Sequence, residues 1–582
     1  MGWLWVVCGL ECRMWNMLPG RWLMSGMGGM SRTGRGRERA RAEIAVVRVL
    51  EKRLGALPVV AGFGRRLRIA EIVDELCPVR PVAWITHGEV IEALVANRLT
   101  APAPMLRVQD WAAAMAVEEA YGIAPELLND DRIARALDAV APQLDAIVGG
   151  VGAAAVTEFG VDVSRLHWDL TPISLYGAYP EADAEYPAPR WGHPKDRRPD
   201  LKQVQAGLAV SGDGGVPVFH RPYSGGAGEV AQVVGAMTAL KKIAGPRPFL
   251  LVGDSKLISY TNAAAMDGQG VGFVAPLAAS RVPAGLFAAL PAGAGTAVDY
   301  TAERDAGKPA AAARGSYRVL EDGGMDLPGP RKTDPPVHLR RILVYSPANA
   351  EGQAKARARK LATATGELDR LVRTAGTRFH PTADAVAARV KTIATKRRVG
   401  AYLRTAITED ATGKPALTWH FDQAAVDAEV AADGWYALLT NLAPSQASPD
   451  EVFLRYKGQH VVERRYSEFK GPLAVTPLFL KTNRRIAALI TVICLALLIF
   501  CLIERQVRKA LAPHGEKMTG LPGYRLTPAK PTGRTIFMAL ADLRLIPAHD
   551  GNPAVIPKPA GVQARLLDLL AIDISRPRWL TK

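Results

Sequence analysis

From about residue 43 to residue 150 apolar residues recur at helical spacing. Within this stretch Thr86 and Glu89 have the spacing of a capping box that opens the helix EVIEALVANRL. Asn129 stands where it would cap a helix over DDRIARALDAVAPQLDAIV. The pattern then changes to that of strands. SRLHWDLTPISLYG (164–177) alternates and is rich in strand formers, and KQVQAGLAV and VPVFHRPY flank the Gly-rich SGDGG of 211–215, which predicts a β-hairpin. GEVAQVVGAMTALKKIAG predicts an amphipathic helix, and PFLLVGD (248–254) is a short apolar run ending in Asp254, the pattern of a buried parallel strand. A helix (SKLISYTNAAAM) and a strand (GVGFVAPLA) follow, so the order is β-β-β-α-β-α-β in an α/β domain.

The segment 281–450 is mixed: a Lys/Arg-rich helical stretch at 353–399 precedes strand-like AYLRTAIT, ALTWHFD and WYALLTNL. After strand-like VFLRY, residues 456–470, YKGQHVVERRYSEFK, read as one helix. IAALITVICLALLIFCLI (486–503), flanked by Arg484, Arg485 and Arg505, has the length of a short membrane span or of a helix buried on all sides. No other segment is expected to cross a bilayer. The tail, 504–582, has a helix-like ARLLDLLAI and several prolines but no chemistry of its own.

At 582 residues the chain exceeds one ordinary core, and roughly three or four structural units are expected. Hydrophobic residues at 48% and charged residues at 22% exclude global disorder. The formal net charge of +17 changes the picture most, because it calls for a polyanionic partner: nucleic acid first, an anionic membrane surface second. Cys8, Cys12, Cys77, Cys494 and Cys501 form no CxxC pair, which argues against a disulfide framework or a zinc site and fits a reducing cytoplasm. The first 22 residues resemble a signal peptide but lack a positive n-region, so an over-extended start, with Met24, Met27 or Met30 as the true one, explains them as well. SRTGRGRERARA (31–42) is a basic arm.

On a single helix, Tyr456, Gln459, Glu463 and Lys470 have offsets 0, 3, 7 and 14 and share one stripe, with Arg464 and Arg465 beside the acid. Taken alone, a Glu on a basic helix is most often a solvated salt-bridge partner. Likewise Asp169, inside the first strand, and Asp254, ending the fourth, read alone as satisfied strand and turn residues.

Together these residues resemble the bacterial insertion-sequence DDE transposases of the Tyr-Arg-Glu-Lys signature group, with Gln459 where the group has Arg. THGEVIEALVANRLTAP, LNDDRIARALD and WGHPKDRRPDLKQ resemble the subgroup with a helical N-terminal domain. The resemblance implies a ribonuclease-H-like core in two parts, 156–280 and 451–510, interrupted by an α+β insertion at 281–450. A helical domain at 43–155 that recognises element ends would precede it, and a C-terminal region at 511–582 would follow. It further implies that Asp169, Asp254 and Glu463 are catalytic and hold Mg²⁺, or Mn²⁺ in its place, since three adjacent carboxylates repel each other unless cations lie between them. Tyr456, Gln459, Lys470, Arg464, Lys195, Arg197, Arg198 and Lys202 would contact DNA phosphates, Gln459 less strongly than the Arg it replaces. Of the nearby acids, Glu451 precedes VFLRY, and Glu468 lies about 140° around a helix from Glu463; only Glu463 has the group's spacing. The implied partners are double-stranded DNA, as terminal inverted repeats and as target, and a second copy in a homodimer. The implied location is the cytoplasm, at the nucleoid, with no membrane and with 486–503 as a buried helix. The rival readings are a degenerate copy that binds DNA without cutting it and a membrane-anchored basic protein.

Overall fold

The strand-forming runs between residues 164 and 345 join Trp435–Thr440 in one mixed sheet. Its strands are β1 (Arg165–Leu175), β2 (Lys202–Ser211), β3 (Pro217–Ser224), β4 (Leu250–Val252), β5 (Gly272–Pro276), β6 (Thr296–Val298), β7 (Tyr317–Glu321), β8 (Met325–Leu327), β9 (Val337–Tyr345) and β10 (Trp435–Thr440). The order is β3-β2-β1-β4-β5-β10-β9-β7-β6, with β8 also beside β9. Only the β1–β4 and β4–β5 pairs are parallel; all others are antiparallel. The computed structural model describes residues 51–179, 183–192, 198–291, 293–301, 316–473, 480–548, 552–559 and 561–574, so the first 22 residues, the arm 31–42, Lys195 and Arg197 lie outside it.

Residues 57–159, ahead of the sheet, are helical, as the periodicity predicts. The Thr86 capping box forms: Glu89 N–H donates to Thr86 Oγ1 at 3.1 Å, and Thr86 N–H to Glu89 Oε2 at 2.8 Å. Asn129 Oδ1 caps the next predicted helix, accepting from Arg132 N–H at 2.9 Å. That helix does not run on, however. It stops at Val140, passes through a 3₁₀ turn containing Pro142, and restarts as Leu144–Phe159, because proline has no N–H for the helical ladder. These helices share one apolar core with the sheet and the C-terminal region.

The segment 281–450 has two fates. Strands β6 to β10 extend the large sheet past β5. Helices Pro347–Thr374 and Ala383–Arg397 pack instead on a separate hairpin, Leu403–Glu409 with Pro415–Phe421, around a small core of their own.

The apolar run 486–503 lies within helix Asn483–Leu511 and is buried in protein along its whole length. It packs on β3 and on helices His87–Thr100 and Asp130–Val140, while the C-terminal helices Gly533–Leu540 and Val562–Leu569 lie against it as well. Its flanking arginines have protein partners. Arg485 forks onto Asp138 at 2.8 and 2.6 Å, Arg484 reaches Asp138 at 3.0 Å, and Arg505 forks onto Asp213 at 2.8 and 2.6 Å. One expectation needs correction: the run Asp130–Phe159 also meets the length and composition of a span, though only 44% of its apolar window is buried.

Near the end of the apolar run sits Glu504, 1% exposed. Arg465 Nη2 and Arg508 Nη1 each lie 3.1 Å from its Oε1, and the Gly533 N–H donates to Oε2 at 2.7 Å. Burial drives the carboxyl upward, but Arg465, Arg508, the Gly533 N–H and Arg464 outweigh it and hold the group below the ordinary carboxylate value. Glu504→Gln leaves the Arg465 charge buried without its counter-ion and should cost about 3–5 kcal/mol, read as a lower urea midpoint for the full chain. Because the folded value is depressed, the Glu504 contribution is present above the unfolded carboxyl value of about 4.3 and is lost as pH falls through the folded value. The gap between parent and variant should therefore close on acidification; a gap independent of pH would refute the charge argument.

Candidate active site

The register of β1 and β4 brings two of the predicted acids level. Arg165, Leu166 and His167 pair with Leu250, Leu251 and Val252. Continuing that register two residues sets Asp254 beside Asp169. Each aspartate commits an oxygen to a nearby N–H: Asp169 Oδ1 to Leu170 at 2.8 Å, Asp254 Oδ1 to Lys256 at 2.9 Å. Both residues are half-buried.

The segment bearing the third acid is not the single helix the spacing predicts. Helix Pro449–Lys457 ends, and helix His460–Lys470 begins after Gly458 and Gln459. VFLRY belongs to the first of these helices and is not a strand, and Glu451 caps its start by accepting from the Ser448 N–H at 2.9 Å. Three consecutive residues pin the break. The Lys457 ammonium lies 4.3 Å from the Tyr317 ring centroid, 5.1 Å from Phe453, 5.6 Å from Tyr300 and 5.9 Å from Tyr436, an aromatic box that favours the cation. A Cβ at position 458 would stand 2.7 Å from the His167 ring, so the helix end can approach β1 only through glycine. Gln459 Oε1 meets His167 Nδ1 at 3.2 Å, and its Nε2 donates to the Trp168 carbonyl at 3.3 Å. Burial holds the His167 ring down to about 4, so it is neutral at pH 7.

On the second helix Val462, Arg465, Tyr466 and Phe469 are buried, while Glu463 and Lys470 are exposed on the other side. The Tyr466 hydroxyl enters the β1–β2 ladder: it accepts from the Leu208 N–H at 3.2 Å and reaches the carbonyls of Asp169 and of Ala206, the latter at 3.1 Å. Burial, with the charges of Glu463 and Asp254 close by, pushes the Tyr456 phenol up to about 12. Burial, with the Asp169 carboxylate close by, also raises the Tyr466 phenol. The charge of each predicted acid thus acts on one of the two phenols. Glu468 faces elsewhere: burial raises its carboxyl, and its charged neighbours are Arg465, Glu504, Arg464 and Arg534.

Other predicted contacts have partners within the protein. Lys202 Nζ donates to the carbonyls of Ala178 and Tyr179 at 2.7 and 2.9 Å. Arg198 forks onto Asp200 at 2.8 and 2.6 Å, and Arg464 lies 3.7 Å from Glu504. Tyr466, Lys457, Gly458 and Glu229 carry no motif and escape a sequence reading. Glu229 is a further acid here, 2.5 Å from Lys256 and close enough to act on Tyr466. The donor set of Asp169, Asp254 and Glu463 is all oxygen and suits a hard cation. Among the described residues, however, no three His, Cys, Asp or Glu side chains stand at ligating spacing.

Residues 49–144 match a family described as a domain of unknown function (DUF4277). No curated protein matches the sequence. Among solved structures the chain is similar to a piggyBac transposase in a synaptic complex with hairpin DNA, at 9% identity and a TM-score of 0.36, covering 83% of this chain and 79% of that one. A likeness that distant carries no argument here.

Tyr466→Phe removes the hydroxyl that meets the Leu208 N–H and the carbonyls of Asp169 and Ala206. It should lower stability by about 0.5–1.5 kcal/mol, seen as a lower denaturant midpoint. An unchanged midpoint would show that the hydroxyl does not hold the helix to β1.

Proposed function

We propose that the chain is a DNA transposase with a ribonuclease-H-like catalytic core. It cleaves at the ends of its own element and joins the 3′-hydroxyls to target DNA, acting on cytoplasmic DNA as a homodimer that holds both ends. The observation that carries this reading is the pairing of β1 with β4. Asp169 lies on β1 and Asp254 two residues past the end of its parallel neighbour β4 in a β3-β2-β1-β4-β5 array, beside a helix that presents Glu463 and is anchored to β1 through Gln459 and Tyr466. The net charge of +17 supports a polyanionic substrate.

In this reading Asp169, Asp254 and Glu463 are the residues that would hold Mg²⁺ or Mn²⁺. When bound, the ion supplies activation of a water or 3′-hydroxyl and stabilisation of the leaving oxygen. Three carboxylates drawn together repel one another, which a bound divalent cation would offset. Lys470, exposed on the same side of the helix as Glu463, and Arg464 next to Glu463 would hold flanking phosphates. Gln459 works differently from the arginine of the group. Its amide both meets His167 and donates to a β1 carbonyl, so in this reading it positions the helix. A second reading, a copy that binds DNA without cutting it, has one observation in its favour: no three acids stand at ligating spacing among the described residues.

Cleavage of DNA carrying the element ends decides between them. Glu463→Gln removes a carboxylate with almost no change in volume. It should abolish cleavage, a loss of about 1,000-fold or more, while end binding stays within about twofold. Glu468→Gln should do little, and EDTA should stop the parent. No cleavage by the parent in Mg²⁺ or Mn²⁺, with binding intact, favours the non-cutting copy; full cleavage in EDTA overturns the metal-dependent reading.

A further inference from the structure

The two-helix unit within 281–450 carries more positive charge than its fold uses. Between residues 353 and 399, twelve Lys and Arg face three acidic residues. Some of these cations build the unit. Arg357, 6% exposed, pairs with Asp433 at 2.9 Å, Lys360 reaches Glu429 at 3.1 Å beside the Tyr402 ring, and Arg397 pairs with Glu367. The rest have a different setting. On helix Pro347–Thr374 the buried residues Arg357, Ala364, Leu368 and Leu371 line one stripe. Arg359, Arg370 and Arg373 lie on the opposite side and are exposed; with 3.6 residues per turn they fall into one row about 21 Å long. On helix Ala383–Arg397, Arg389, Lys391 and Lys396 are exposed too, and Arg389 and Lys396 act on Glu367, which sets them at the seam with the first helix. None of these six makes an ion pair or side-chain hydrogen bond among the described residues.

Exposed cations on helices are commonly just solvated, and that is the rival explanation. Two observations weigh against it. The exposed cations of each helix lie close together, and a polyanion relieves their mutual repulsion. The outward row of the first helix also carries small residues, Thr363 and Gly366, between its arginines, so it offers no apolar stripe for a protein partner. The row is longer than the ~12 Å width of a major groove, so its arginines can meet phosphates on both walls.

We propose that the outer face of this helical hairpin binds duplex DNA through its phosphates without reading sequence. The inference rests on the transposase reading and deepens it, by naming where DNA beyond the scissile bonds is held. Its test is binding of a random-sequence duplex to the full chain across a salt series. The triple variant Arg359→Gln, Arg370→Gln, Arg373→Gln should bind about tenfold or more weakly, and the slope of log K against log salt should fall by about 2–3, since each lost phosphate contact removes about 0.9. The double variant Arg389→Gln, Lys396→Gln, on the other helix, should lose binding in the same direction and covers a folding failure of the first. Arg→Lys at the first three positions should keep the slope. Parental affinity and slope in both Gln variants would overturn the surface assignment, while end cleavage by the parent would leave the transposase reading standing. A parent that ignores duplex DNA but binds phosphatidylserine vesicles would overturn both.

Discussion

A single buried carboxylate sets the relation between the candidate catalytic helix and the rest of the molecule. Glu504 ends the apolar stretch of helix Asn483–Leu511 and is almost wholly excluded from water. A charge in that position costs several kcal/mol unless surrounded by opposite charge and donors. Arg465 supplies the counter-charge and must be buried to do so, at 2% exposure. Two residues on a helix turn about 200°, so burying Arg465 against Glu504 turns Glu463 outward, where it is observed. The same guanidinium donates to the carbonyls of Gly214 and Gly215 in the β2–β3 turn. Gly215 has φ +63°, and a Cβ there would stand 2.5 Å from Val461, so both the turn and the approach of the helix require glycine.

With its rotation set by one charge pair, the helix still needs its position along β1. That comes from the opposite face of the problem, the backbone of the strand itself. Gln459 takes the Trp168 carbonyl and Tyr466 the carbonyl of Asp169, two successive residues of β1 held by groups seven residues apart on the other chain segment. Seven residues are close to two helical turns, so both contacts come from one side of the helix. The aromatic box around Lys457 and the bare Cα of Gly458 keep the preceding helix from drawing the junction away. Strand, helix and junction are thereby coupled, and displacing any one strains the other two.

Much of this architecture was legible from local patterns. The capping box at Thr86, the Asn129 cap and the SGDGG hairpin each depend on chemistry within a few residues, and each forms, while PFLLVGD makes a shorter strand that stops at Val252 and leaves Asp254 to cap the turn after it. The misreadings share another cause. YKGQHVVERRYSEFK keeps helical spacing across its whole length, but the break at Gly458 is imposed by His167, 291 residues earlier in the chain. VFLRY is rich in strand formers, yet Ser448 with Glu451 caps it as helix and packing overrides propensity. DDRIARALDAVAPQLDAIV held its own warning in Pro142. ARLLDLLAI reads as helix and forms within Val562–Leu569, whereas Tyr466, Glu504 and helix Gly533–Leu540 have no signature at all, because their roles exist only once distant segments meet.

The apolar run 486–503 shows how far composition alone can decide. Length, hydropathy and flanking arginines are equally those of a membrane span and of a helix at the centre of a protein, and Asp130–Phe159 meets the length and hydropathy conditions too. What differs is the fate of the charges. A spanning helix leaves its flanking cations to headgroups and water, whereas here Arg484 and Arg485 converge on Asp138 and Arg505 forks onto Asp213. The carboxylate inside the helix end has three arginines and a helix N-terminus around it. Those acids lie on segments that the helix meets only by being enclosed. Burial of the apolar run is hydrophobic in origin; the paired charges make its two ends compatible with enclosure, and the Glu504–Arg465 pair orients the segment that presents Glu463.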